Sequence, residues 1–383
     1  MLFLPSKSTT VAFWIACAFG IEAGHSSWIV NGNQATIRLY LRRAVDELIS
    51  GEGLAFVWSV LVGLRLIGQI IGAELSRPIM DHWGRHVTIR LTALLFIGGN
   101  ILQWLAGFST KHDFWIMLYV GRFLQAIAVG VAQVVVSIFI AEISPKRSRG
   151  RNCTFYEGFN GLGSLLAIIV SFTTILGTEH KWPWAMILPV FPVLALLAMT
   201  FWFPESPVYL VNHDPANLHN DRVWHSLRFY ADKDENLDDI YESLRSGEPV
   251  DETGLTNATT GGFLDLIRNQ SLRPSLYLLV ILSTTRATTA YQTMFSYSQF
   301  AIEMCDTPPA IAEYMTLFVV SCRCFLSIVL TNTIERAGRR PLTLWSLFAI
   351  IGAYILLMSA TEISPNQDGM WEKIYLKPQG EPP

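Results

Sequence analysis

Six ionisable side chains stand inside long apolar runs: Glu22, Arg65, Arg122, Glu157, Arg286 and Arg323. A charge at the middle of a bilayer costs about 2.5–3.5 kcal/mol on insertion scales, so such residues face a cavity or a partner rather than lipid. Polar residues recur at helical spacing around two of them. Glu157, Asn160, Gly161 and Ser164 fall at i, i+3, i+4 and i+7, and Thr285, Thr289, Gln292, Ser296 and Gln299 form a second stripe. Residues at these spacings share one helix face. Each stripe lines a cavity or meets another helix, and both readings stand at this point. No phosphate loop, zinc-ligand spacing or nucleophile–base set accompanies them, and the histidines are scattered. An enzyme, a metal centre and a cofactor are therefore not expected.

These residues need a membrane to position them. Of 383 residues, 51% are hydrophobic and 15% are charged, against about a quarter charged in an average soluble chain. With 28 Lys and Arg against 31 Asp and Glu, the chain lacks the basic excess of a nucleic-acid partner. Apolar stretches at 9–30, 54–77, 88–108, 114–141, 155–177, 183–203, 275–300, 309–333 and 342–361 predict nine membrane helices, each long enough to cross about 30 Å of hydrocarbon. The first carries Glu22 and has no small-residue cleavage site behind it, so it is read as a retained helix rather than a signal peptide. Lys and Arg gather in the even-numbered connections: Arg77, Arg85 and Arg90, then Lys146, Arg147, Arg149 and Arg151, then Arg336, Arg339 and Arg340. By the positive-inside rule those connections and the N-terminus face the cytoplasm. Arg38, Arg42 and Arg43 in the first outward loop dissent mildly, offset by Asp46, Glu47 and Glu52. The tripeptides headed by Asn152, Asn257 and Asn269 then fall on the cytoplasmic side and are read as chance glycosylation matches. The five cysteines make no disulfide or zinc framework.

The long polar interval 204–272 splits the chain into 1–203 with six helices, and 273–361 with three, before a polar tail at 362–383. Each part carries the same turn after its second helix. Asp81, Gly84 and Arg85 recur as Glu335, Gly338 and Arg339, offset by 254 residues. Such a repeat marks a duplicated unit. The glycine permits a tight turn, and the acid and arginines can latch at a helix end and release when the parts rock.

With this repeat stand Phe19-Gly20, Gly121-Arg122-Phe123, Ala141-Glu142-Ile143-Ser144-Pro145 running to Arg149-Gly150, and Pro204-Glu205-Ser206-Pro207. Together these motifs make the chain resemble the sugar-porter branch of the major facilitator superfamily, whose members include facilitative glucose transporters and proton-coupled sugar symporters. The resemblance implies an all-α integral membrane fold of two six-helix halves, here a complete N-terminal half plus three helices, with the last three missing. It implies an inner gate of Glu142, Arg149, Arg339 and Arg340, with Asp81, Arg85 and Glu335 in the repeated turns. Glu22 occupies the place of an Asp found in the symporters, and Arg122 that of its partner arginine. Such a pair would carry a proton if the acid takes one up when the arginine swings away; a fixed ion pair joining two helices is the other reading.

Glu157 matches a glutamine that binds hexose hydroxyls in the family, which assigns Glu157, Asn160, Arg286, Thr289, Gln292 and Arg323 to a substrate cavity. The family's Gln-Gln pair and following Ser-Gly-x-Asn are replaced here by Arg286 to Gln292, Arg323 replaces an asparagine, and Val208 replaces an arginine. Four arginines against two acids favour an anionic or zwitterionic solute, unless pairs such as Arg286 with Glu157 absorb the excess. The expected function is alternating-access transport of a small polar solute, a sugar with or without a proton, in the plasma membrane. The alternatives are an organic-anion carrier and a nine-helix protein that transports nothing.

Overall fold

The computed structural model describes residues 6–45, 51–109, 113–145, 148–213, 221–231, 237–246, 270, 273–288 and 308–363. These hold fourteen helices and no strand. Six stretches among them are long and apolar enough to cross a membrane: Phe56–Trp83, Arg85–Ala106, Asp113–Ile143, Arg149–Ser171, Trp182–Met199 and Ile311–Val329. They belong to α3 (Gly51–Trp83), α4 (Arg85–Ala106), α5 (Asp113–Ile143), α6 (Arg149–Ser171), the α7–α8 pair (Trp182–Ile187 and Val190–Met199) and α13 (Pro309–Ala337).

The first helix, α1 (Lys7–Gly32), forms where expected but is not among those six. Its buried residues include Glu22, His25, Ser26 and Asn31. A helix surrounded by protein does not need the hydropathy that lipid contact demands. The segment holding Arg38, Arg42 and Arg43, expected from the sequence as a loop, is instead helix α2 (Gln34–Val45), tied down by an Arg43–Glu179 ion pair. The stretch expected as one helix over 183–203 is broken between α7 and α8 at Leu188-Pro189. Proline lacks the amide that an uninterrupted helix would use.

The polar interval also contains helices: α9 (Pro207–His213), α10 (Asp221–Tyr230) and α11 (Leu237–Ser246). In α10, Val223, Ser226, Leu227 and Tyr230 are buried at i, i+3, i+4 and i+7, the stripe of an amphipathic helix lying on a surface. The chain continues in α12 (Arg273–Thr288) and α14 (Arg339–Ile363).

Since lipid tails are as apolar as leucine, helices in a bilayer are held by close packing of small residues. In the α1–α6 pair, a Cβ added to Gly24 would collide with the Asn160 carbonyl oxygen, and one added to Gly163 with that of Ile21. α5 packs against both α3 and α4. Two apolar clusters fill this bundle, one around Phe19, Phe96 and Phe139 and the other around Trp28, Trp58, Phe114 and Trp182. α13 reaches the same bundle through α6.

The repeated turn is present in both copies: Gly84 separates α3 from α4 with φ +89°, and Gly338 separates α13 from α14 with φ +79°. Both values lie where only glycine is at ease.

Candidate functional site

Three polar clusters interrupt this apolar bundle. The first lies in its core, where Glu22 of α1 is fully buried and accepts hydrogen bonds from Asn100 of α4 at 2.8 Å and Gln125 of α5 at 2.9 Å. Arg122 donates instead to the Ser26 carbonyl at 2.6 Å and to Gln125 Oε1 at 3.1 Å. Glu22 and Arg122 thus form no ion pair, a correction to the sequence-based pairing. The Gln125 amide sits between them, its nitrogen on the acid and its oxygen on the arginine. An amide serves here because it can donate at one end and accept at the other. Gln125 also donates to Asn100 Oδ1 at 2.7 Å and accepts from Gln103 at 3.1 Å. None of these three amides is legible from family motifs; the signal was three amide side chains within two strongly apolar helices.

The second cluster lies between α6 and α13. Arg323 donates to Asn160 Oδ1 at 2.9 Å and to Ser164 Oγ at 2.7 Å, and Ser327 donates to the Glu157 carbonyl at 3.1 Å. The α6 stripe therefore faces α13, and Gly161 is the point of close approach, where an added Cβ would lie 3.3 Å from the Cα of Cys324. The structure brings Asn160 and Arg323 together, while the Glu157 side chain is exposed. The side chain of Arg286 and all of Thr289 and Gln292 lie outside the described residues, as do Ser296 and Gln299.

The third cluster joins the end of α5 to the turn before α4. Arg85 grips Glu142 with two nitrogens, at 3.1 and 2.8 Å, and both side chains are only 12% exposed. Such a fork-on-carboxylate pair is the strong, directional form of an ion pair. Ser206 adds a short hydrogen bond to Glu142, and the Arg85 guanidinium lies 4.9 Å over the Tyr209 ring. Glu205 accepts from the backbone amides of His86 and Ser206, each at 2.9 Å. At His86, in the first turn of α4, this carboxylate satisfies an amide that Gly84 does not cap, and it meets the positive end of the helix dipole. Burial pushes the Glu205 carboxyl above its ordinary range, opposed by those two amides and Arg85. α10 covers the cluster, with Ser226 donating to the Glu205 carbonyl and Tyr230 to that of Pro204, both at 2.6 Å.

Of the expected gate, Arg85 and Glu142 meet. Asp81 does not join them; it is exposed and lies 3.6 Å from Arg77 one turn back on its own helix. Arg149 opens α6 and Arg340 is exposed near the start of α14, whereas the side chains of Glu335 and Arg339 lie outside the described residues. Asn152, heading one glycosylation tripeptide, is buried and donates to Ser144 at 2.9 Å, so it is a packing residue; Asn257 and Asn269 lie outside the described residues.

This arrangement, repeated turns around a buried polar core, has a match that covers nearly the whole chain. The family model described as "Sugar (and other) transporter" aligns with residues 8–375. The chain belongs to that family. The sugar transporters are carriers rather than enzymes, and this member is an integral membrane protein. It is 24% identical to the chicken "Solute carrier family 2, facilitated glucose transporter member 3" over 88% of this chain and 66% of the relative. It is 25% identical to the sheep protein of that name over 92% of this chain and 75% of the relative. The chain thus spans about two thirds to three quarters of these relatives. Among solved structures, the proton:xylose symporter XylE bound to 6-bromo-6-deoxy-D-glucose superposes with a TM-score of 0.68 at 20% identity, covering 87% of this chain and 70% of XylE. A partially occluded inward-open form of XylE from E. coli gives 0.63 at 18% identity, over 87% and 75% of the two chains. These likenesses establish the major facilitator fold for this sugar-transporter family member.

Proposed function

We propose that this chain carries a small polar solute of the hexose type by alternating access, with its site between α6 and α13. The observation that carries the reading is the contact of Arg323 with Asn160 and Ser164. It joins the polar face of a helix from the first repeat to a helix from the second, at a joint that transporters built from repeats use for substrate. Glu157, Arg286, Thr289 and Gln292 complete the proposed cavity. Glu22 is the proposed proton carrier, with Arg122 acting on it through Gln125. Arg85 and Glu142 anchor the proposed cytoplasmic gate, to which Arg149, Glu335, Arg339 and Arg340 contribute from the neighbouring turns. The six-plus-three division, a cytoplasmic N-terminus and residence in the plasma membrane belong to the same proposal.

Uptake into proteoliposomes holding only the 383-residue chain tests it, with labelled glucose and xylose and with or without an inward proton gradient. Saturable hexose flux, faster with the gradient, is expected; absence of flux from folded, inserted protein rejects the reading. A second reading rests on Arg323 itself, whose guanidinium occupies the joint where a neutral sugar needs no cation. It gives flux of a labelled organic anion that excess glucose does not inhibit.

A further inference from the structure

Apart from the α6–α13 joint, α1, α3 and α5 line a partly open cavity of about 30 Å³, where Ser27, Asn31, Arg65 and Arg122 stand among apolar residues and Trp58. This space admits a water or two, or one ion of similar size. Arg65 is 8% exposed and Arg122 3% exposed, and both line this cavity. Arg122 has no carboxylate at ion-pair distance among the described residues, because Glu22 spends its bonded oxygen on Asn100 and Gln125. One Arg122 nitrogen is taken by the Ser26 carbonyl and Gln125, while its Nε is buried without an acceptor. Arg65 is oriented by Ser27, which accepts from it at 2.5 Å and donates its own hydroxyl hydrogen bond to the Ala23 carbonyl at 2.7 Å. Trp58, 1% exposed, has an indole N–H buried with no acceptor among the described residues.

Two guanidiniums on one small cavity, with buried donors beside them, describe a receptor for negative charge. A buried charge is stable only when paired and hydrogen-bonded, and a buried donor left unmade costs its full desolvation.

We propose that this cavity binds a small monovalent anion between Arg65 and Arg122, either a free halide or the carboxylate of a solute. The site is separate from the proposed sugar cavity and stands whether or not the chain carries hexose.

The test is equilibrium binding of radiolabelled chloride to the purified full chain in detergent, with unlabelled chloride, acetate, glucuronate or glucose as competitor. Saturable chloride binding displaced by acetate and not by glucose is expected. Glucuronate stronger than acetate assigns the site to a solute carboxylate, and chloride stronger than both assigns it to a halide. Arg65→Gln should weaken binding about tenfold or more, the loss of a charge-assisted hydrogen bond. Trp58→Phe, which keeps the ring and removes one donor, should weaken it less and guards against a fold failure of the first variant. No saturable chloride or acetate binding to the wild-type chain overturns the proposal, as does unchanged affinity in a folded Arg65→Gln variant.

Discussion

At the scale of single residues, the Pro204-Glu205-Ser206-Pro207 motif acts through its two polar members. Ser206 bonds Glu142, and Glu205 accepts the His86 amide at the start of α4 and the amide of Ser206 beside it. Because burial raises the Glu205 carboxyl in the folded chain, folding favours its protonated form. Its contribution is fully present below the ordinary carboxylate pKa of about 4.3 and is lost as pH rises through the raised folded value. The Arg85, Glu142 and Tyr209 groups that face it set the background for this titration. Thermal unfolding of the purified chain should therefore occur at higher temperature near pH 5 than near pH 7, and the difference should shrink in Glu205→Gln. An equal pH dependence in that variant would assign the effect elsewhere. The motif was readable as a family mark, but its partners were not, since Glu205 and His86 lie more than a hundred residues apart.

Among elements, the two repeated turns separate what a glycine does from what its neighbours ask of it. Gly84 and Gly338 share a positive φ with an extended ψ, a backbone that costs other residues about 1–3 kcal/mol. Among the described residues a methyl on Gly338 meets nothing nearer than Pro341 at 3.8 Å, whereas one on Gly84 reaches Glu205 Oε2 at 2.8 Å and Tyr209 at 3.0 Å. Gly338→Ala should lower stability by the backbone cost of about 1–3 kcal/mol. Gly84→Ala should cost more, on the order of 2–6 kcal/mol, by adding overpacking to that strain. Equilibrium denaturation in detergent of the two variants checks the order, and equal losses would show that the Glu205–Tyr209 cap yields freely. The 254-residue offset made both turns legible; the cap over only one of them was not. The helices of the polar interval were missed for a related reason. Their amphipathic stripes span only two or three turns, too short to stand out within a largely polar stretch.

For the whole molecule, function depends on how α13 meets α6. Arg323→Leu removes both side-chain hydrogen bonds across that joint while keeping the helix. Loss of two charge-assisted bonds should reduce hexose uptake about tenfold or more, whereas Arg323→Lys, which retains the cation without the fork, should recover part of it. Undiminished uptake in the leucine variant would remove Arg323 from the transport path. The chain's own order of residues determined the membrane fold, most helix positions, the duplicated turn and the set of intramembrane charges, because hydropathy, helical spacing and glycine at a turn of positive φ are local properties. Only the tertiary structure decided who partners whom: Gln125 rather than Arg122 on Glu22, Arg85 on Glu142, Arg323 on Asn160, and Arg65 beside Arg122. Hydrogen bonds and ion pairs are made at about 3 Å, and which groups come that close is fixed by the crossing of helices far apart in the chain, not by any spacing along it.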